Sequence, residues 1–121
     1  MRKDFLCSLL NNSMKNMNAL TLATLELDRR LLNELKSLGV IHTQSELGKL
    51  CGKNNSYFAC MRNKGFGLQI GSLTFLISRL SKLAADESDG ERCVKIKLAI
   101  QVIKQTIDEK CRLREIELHA Y

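Results

Sequence analysis

Proline does not occur once in the 121 residues, and glycine occurs only seven times. A β-sandwich or barrel needs turn residues at short, regular intervals, and this chain lacks them. What remains is a helical pattern, in a chain long enough for one compact domain. With 45% hydrophobic and 26% charged residues it can fill a single core. No apolar run approaches the roughly 18 to 20 residues of a membrane span. The opening Met1-Arg2-Lys3-Asp4-Phe5 also lacks the apolar core and cleavage site of a secretion signal. The expectation is a cytoplasmic, all-α protein without membrane association.

Five cysteines stand at positions 7, 51, 60, 93 and 111, and no two are spaced as C-x-x-C. Only His42 and His119 could help them hold a metal. The expectation is therefore no metal site, no cofactor and no disulfide framework, with cysteine acting as a small buried hydrophobe. The stretch from Gly65 to Gly71 has three glycines in the manner of a phosphate loop. No predicted strand precedes it and no Lys-Ser/Thr pair follows it, so it reads as a connection. There is no nucleophile elbow and no clustering of acid, base and nucleophile, so no enzyme activity is expected.

The formal charge of +6 is unevenly spread. Residues 31 to 85 carry seven basic side chains against only Glu34 and Glu46, and no acid occurs between Glu46 and Asp86. Residues 86 to 121 mix seven basic with eight acidic side chains, the balance of a solvated helix or a protein-protein element. A polyanionic partner would meet the middle of the chain.

Along the chain, Phe5, Leu6, Leu9 and Leu10 have helical spacing, and the segment Leu20 to Leu27 fits a strand by its threonines or a helix by its leucines. Asp28 reads as an N-cap, followed by Leu31, Leu32, Leu35 and Leu38 on one face and by Gly39 as a helix stop. Thr43-Gln44-Ser45-Glu46 has the form of a capping box and starts a second helix, which buries Leu47, Leu50 and Cys51 and ends at Gly52. Asn54 reads as the cap of a third helix that turns Phe58 and Met61 inward before Asn63-Lys64-Gly65. Tyr57, adjacent to Phe58, is expected at the edge of the core with its hydroxyl in water.

Two short helices joined by a glycine-containing turn, with Thr43-Gln44, Leu47, Gly48, Cys51, Gly52, Asn54, Phe58 and Met61 at these intervals, resemble the helix-turn-helix domains of the phage lambda-repressor and Cro group. Leu73, Leu76, Ile77 and Leu80 are similar to the closing helix of that family, so the likeness spans about residues 29 to 83. Two positions depart from the pattern. Gly48 replaces the usual alanine and should loosen its helix slightly, and Lys64 stands where glycine usually ends the second helix of the motif.

The resemblance implies double-stranded DNA as partner, with that second helix in the major groove. Asn55, Ser56, Ala59 and Cys60 then face base edges, while Gln44, Lys53, Arg62, Asn63 and Lys64 hold phosphates. Asparagine suits adenine, serine is permissive and cysteine offers little, so readout would lean partly on DNA shape. The competing expectation is a helix pair of the same fold that binds protein, as an inhibitor or adaptor.

The sequence thus divides into an N-terminal extension (1–27), a lambda-repressor-like helix-turn-helix domain (28–85) and a long C-terminal helix (86–121). In that last helix Ile96, Ile100, Ile103, Ile107 and Cys111 line one side, and Val94, Leu98 and Val102 the other. Two apolar faces predict a homodimer, one face packing on the basic domain and the other on a second copy, and all eight of these residues are taken as candidates for the dimer interface. Alternation from Val94 to Val102 also permits a strand, but the Glu, Lys, Arg and Ile pattern beyond it favours helix. The function expected is that of a sequence-specific, homodimeric transcriptional regulator.

Overall fold

A computed structural model describes residues 18–65 and 67–119. The helical spacing expected for Phe5 to Leu10 lies outside these residues. Among those described there are five helices and no strand: α1 (Asn18–Ser37), α2 (Gln44–Leu50), α3 (Tyr57–Asn63), α4 (Ile70–Asp86) and α5 (Gly90–His119). None is long and apolar enough to cross a membrane.

The ambiguous segment Leu20 to Leu27 belongs to α1, which runs unbroken across the expected boundary at residue 27. Ala19, Ala23, Leu27, Leu31 and Leu35 are all buried. A four-residue step keeps them on one slowly turning face. The helical reading by its leucines holds, with Leu27 on this face, while Leu22 lies off it and is 59% exposed. Asp28 is not a cap. It sits in the middle of α1 and is buried.

At its other end α1 stops as expected. Gly39 adopts φ +73, its amide donates to the Lys36 carbonyl, and the Val40 amide reaches back to the Leu35 carbonyl. This is the paired closure that a left-handed glycine permits. The same closure ends α2, where Gly52 has φ +77 and the amides of Gly52 and Lys53 donate to the carbonyls of Lys49 and Gly48.

The main core gathers Leu31 and Leu35 of α1, Leu47 of α2, Phe58 of α3, Leu73, Leu76 and Leu80 of α4, and Ile96, Ala99 and Ile103 of α5. A smaller cluster joins Ala23 and Leu27 to Leu113 at the far end of α5. Ile96, Ala99, Ile103, Thr106, Lys110 and Leu113 are buried in alternating steps of three and four. That spacing keeps one stripe of a long helix against its neighbours, here α1 and α4.

This arrangement corrects the expected division of labour in α5. Ile96 and Ile103 are in the protein's own core, and Ile100, Val102 and Ile107 are partly buried against it. They are not free to face a second copy. Only Val94, Leu98 and Cys111 of the expected interface are exposed, Val94 at 57% and Leu98 at 45%. The reason is that α1 and α4 do not close a core without α5, so the isoleucines of α5 are needed within the chain.

Candidate nucleic-acid interface

The site is built on α2, α3 and the turn between them. Thr43 is extended, and its Oγ1 accepts from the Glu46 amide at 3.3 Å. The Glu46 carboxylate returns a bond, but to the His42 amide at 2.9 Å, one residue earlier than the usual box. Gly48 does not loosen α2. A Cβ there would meet the carbonyl oxygen of Asn54 at 2.7 Å and Tyr57 Cβ at 3.5 Å, so glycine lets α2 touch the start of α3.

Asn54 nucleates a turn before the helix. Its Oδ1 accepts from the Ser56 amide at 3.1 Å and the Ser56 hydroxyl at 3.0 Å, and α3 begins three residues after it, at Tyr57. Phe58 is buried as expected, and Met61 is half-buried.

On the outer side, Asn55, Ser56 and Cys60 are exposed, as are Lys53, Arg62, Asn63 and Lys64. Positions 56, 60, 63 and 64 share one helix side by their spacing. The structure brings 56, 60, 63 and 64 onto one side of α3, whereas Arg62, one turn from the buried Phe58, borders Leu25, Arg29 and Leu32 of α1. Ala59 and Gln44 are half-buried, and the Ser56 hydroxyl is already spent on Asn54. The Lys53 ammonium lies 5.8 Å from the centre of the Tyr57 ring, which keeps it along this surface.

The Tyr57 hydroxyl is not left to water. It shares a 2.8 Å hydrogen bond with the Ser72 hydroxyl and accepts from the Gln69 amide at 3.4 Å, tying α3 to the start of α4. No side chain caps α4 and no acid stands in its first turn. This end opens into a cleft of about 360 Å³ bordered by Lys53, Gln69, Gly71, Ser72 and Phe75.

Sequence reasoning missed the group that fixes the loop after α3. The Asp28 and Lys110 side chains are both buried and lie 2.7 Å apart. Asp28 Oδ2 accepts from the Leu68 amide at 2.7 Å, and Lys110 Nζ donates to the Leu68 carbonyl at 3.0 Å. One peptide residue is therefore gripped on both polar groups, from α1 and from α5. Burial raises the Asp28 carboxyl pKa, against the opposing pull of the Lys110 ammonium and the Leu68 amide. Gly67 makes the grip possible: it has φ +70, and a Cβ on it would collide with the Asp28 carboxylate and with Thr24. The glycine-rich stretch is thus a clamped connection between α3 and α4. The available signal was Lys110 itself, a charge on the stripe of α5 that is otherwise buried, with Asp28 in the leucine face of α1.

No group of His, Cys, Asp and Glu able to hold a metal is found among the described residues. No family model, curated protein or solved structure matches the chain.

Proposed function

We propose that this protein binds double-stranded DNA sequence-specifically, laying α3 in the major groove in the manner of a helix-turn-helix regulator of transcription. One observation carries the reading: Asn55, Ser56, Cys60, Asn63 and Lys64 are exposed at the start and along one side of α3, with Lys53 exposed just before them, within a segment that has no acid between Glu46 and Asp86. A recognition helix needs polar groups aimed outward, a tightly held partner helix behind it and cations at its margins. Gly48, the Asn54 turn and the Tyr57–Ser72 bond supply the tight support. The uncapped start of α4, beside Lys53, is a favourable place for a backbone phosphate.

Asn55 is the residue assigned to a base edge, since its amide can pair with adenine. Lys53, Arg62 and Lys64 are assigned to phosphates, and three such contacts give a slope of about −3 for log affinity against log salt. Of the α5 residues expected to meet a second copy only Val94, Leu98 and Cys111 are exposed, a small patch beside the roughly 800 Å² per partner of a stable interface. We therefore take the DNA-reading unit to be one chain, in place of the dimer expected through α5.

Selection from random duplexes tests both points. A recovered motif without two-fold symmetry is expected, whereas a palindrome with half-sites about 10 base pairs apart would restore the dimer. Asn55→Ala should cost on the order of 1 to 3 kcal/mol on the selected site and little on random DNA. Arg62→Ala and Lys64→Ala should weaken both alike and flatten the salt slope by about 0.9 each. Retention of no duplex at low salt would reject the reading in favour of a protein-binding helix pair, a use to which the 48% exposed Phe75 beside Lys53 is also suited.

A further inference from the structure

We propose that α5 sets the pose in which α3 reads base edges, through a relay of hydrogen bonds that runs from Lys110 across the peptide between Leu68 and Gln69 to Tyr57. Lys110 and Tyr57 are then positioning residues for base discrimination, a role that rests on the DNA reading.

Three helices converge on two consecutive residues of the α3–α4 connection. Asp28 of α1 accepts from the Leu68 amide at 2.7 Å, and Lys110 of α5 donates to the Leu68 carbonyl at 3.0 Å. The Tyr57 hydroxyl of α3 accepts from the Gln69 amide at 3.4 Å, the longest of these contacts. The Leu68 carbonyl and the Gln69 amide are two ends of one planar peptide group, so a movement of Lys110 tilts both. Having accepted from Gln69, the Tyr57 hydroxyl still has its own proton to give, and the Ser72 hydroxyl of α4 lies 2.8 Å away. Leu68 and Ser72 are buried, where a polar group that loses its partner is not readily repaired by water.

Tyr57 is the first residue of α3 and stands two residues after Asn55. Its ring also holds the Lys53 ammonium at 5.8 Å. The relay thus ends where the reading helix begins. A hydrogen bond to a base edge weakens steeply once its angle falls below about 120°. A lysine on a phosphate tolerates the same tilt, because its ammonium is a point charge on a flexible stem. The relay therefore governs discrimination and leaves the phosphate contacts nearly unchanged. A buried ion pair adds little net stability, and holding one arrangement of the connection is what Asp28 and Lys110 are placed to do.

The test uses the full chain and the duplex recovered by selection, with random duplex as control. Tyr57→Phe removes the hydroxyl and keeps the ring beside Lys53. Affinity for the selected duplex should fall about five- to tenfold, with random duplex and the salt slope unchanged. In an Asn55→Ala background the same substitution should cost nothing further, since no base contact is left to misplace. Asp28→Asn with Lys110→Met removes both charges, keeps an acceptor for the Leu68 amide and frees only the Leu68 carbonyl. It should lower discrimination in the same direction and, without DNA, move the amide signals of Gln69, Tyr57 and Asn55. Thermal unfolding checks that each variant is folded, and if the double variant is not, Ser72→Ala takes its place with the same expectation. Tyr57→Phe acting equally on both duplexes, acting on neither, or costing as much without Asn55 overturns the relay and leaves the DNA reading standing. A parent chain that retains no duplex at low salt removes the DNA reading, and the relay with it.

Discussion

The α2–α3 pair and α5 build structure in opposite ways. Each helix of the pair has seven residues, well short of the length at which an isolated helix holds together in water. Beyond Leu47 and Phe58 in the core, the pair is held by single contacts: a threonine cap, an asparagine turn, the Tyr57–Ser72 bond and one missing Cβ at Gly48. The 30-residue α5 contributes mainly through a buried stripe that runs from Ile96 to Leu113, to which the Lys110–Asp28 pair adds one polar contact. The short helices owe their position to local chemistry, and the long helix owes its position to area. Substitutions should therefore act differently in the two regions.

The largest effect is expected where α5 is itself local in character. Lys110→Ala leaves Asp28 a buried charge without its partner, and should cost about 3 to 5 kcal/mol in urea unfolding. The double replacement Asp28→Leu with Lys110→Met should recover only part of that loss, since it removes the unpaired charge but leaves the buried Leu68 amide and carbonyl without partners. If the double variant is as unstable as the single one, the grip on Leu68 matters more than the charge balance. Gly48→Ala comes next, at about 1 to 3 kcal/mol of overpacking against the Asn54 carbonyl. Gly71→Ala, where an added Cβ meets nothing within 4 Å, should instead stabilise α4 by about 0.4 to 1 kcal/mol. Equal effects at the two glycines would dissolve the contrast.

The smallest effect is chemical and leaves the fold untouched. Burial pushes the Cys51 thiol up to about 11, although Lys53 and Arg79 pull it down. In contrast, Cys60 and Cys111 are exposed. In native protein near neutral pH, iodoacetamide should modify Cys60 and Cys111 while Cys51 stays protected until the protein unfolds, as mass spectrometry of the digested protein can read. Rapid labelling of Cys51 would mean that α2 opens from the core.

How much could be read beforehand follows from the same contrast. The α2–α3 region was legible because its signals are short and chemical. Thr43, Gly52 and Phe58 behave as their types dictate, and so does Gly39 at the end of α1. Asn54 starts a turn a few residues ahead of the helix it was expected to cap. Gly48 was misjudged because the sequence names the absence of a side chain without naming what approaches it. In α5 the helix itself was legible, but isoleucines look alike whether they face their own core or a partner, and only the packing of α1 and α4 decides. Asp28 was misread for a related reason. An aspartate before a leucine run is a common cap, and its partner lies near the other end of the chain.

That distance has a consequence for how the protein is made. Asp28 leaves the ribosome long before Lys110, and until α5 is complete the carboxylate has no cation and the main core lacks Ile96, Ala99 and Ile103. A contact between such remote segments must wait for the intervening chain and carries the entropy of closing it. A nascent chain that ends near Asp89 holds the whole basic helix pair yet has nothing to lay over its leucines. It should be recognised by chaperones and proteases as unfinished, so that truncated transcripts yield no stable partial product.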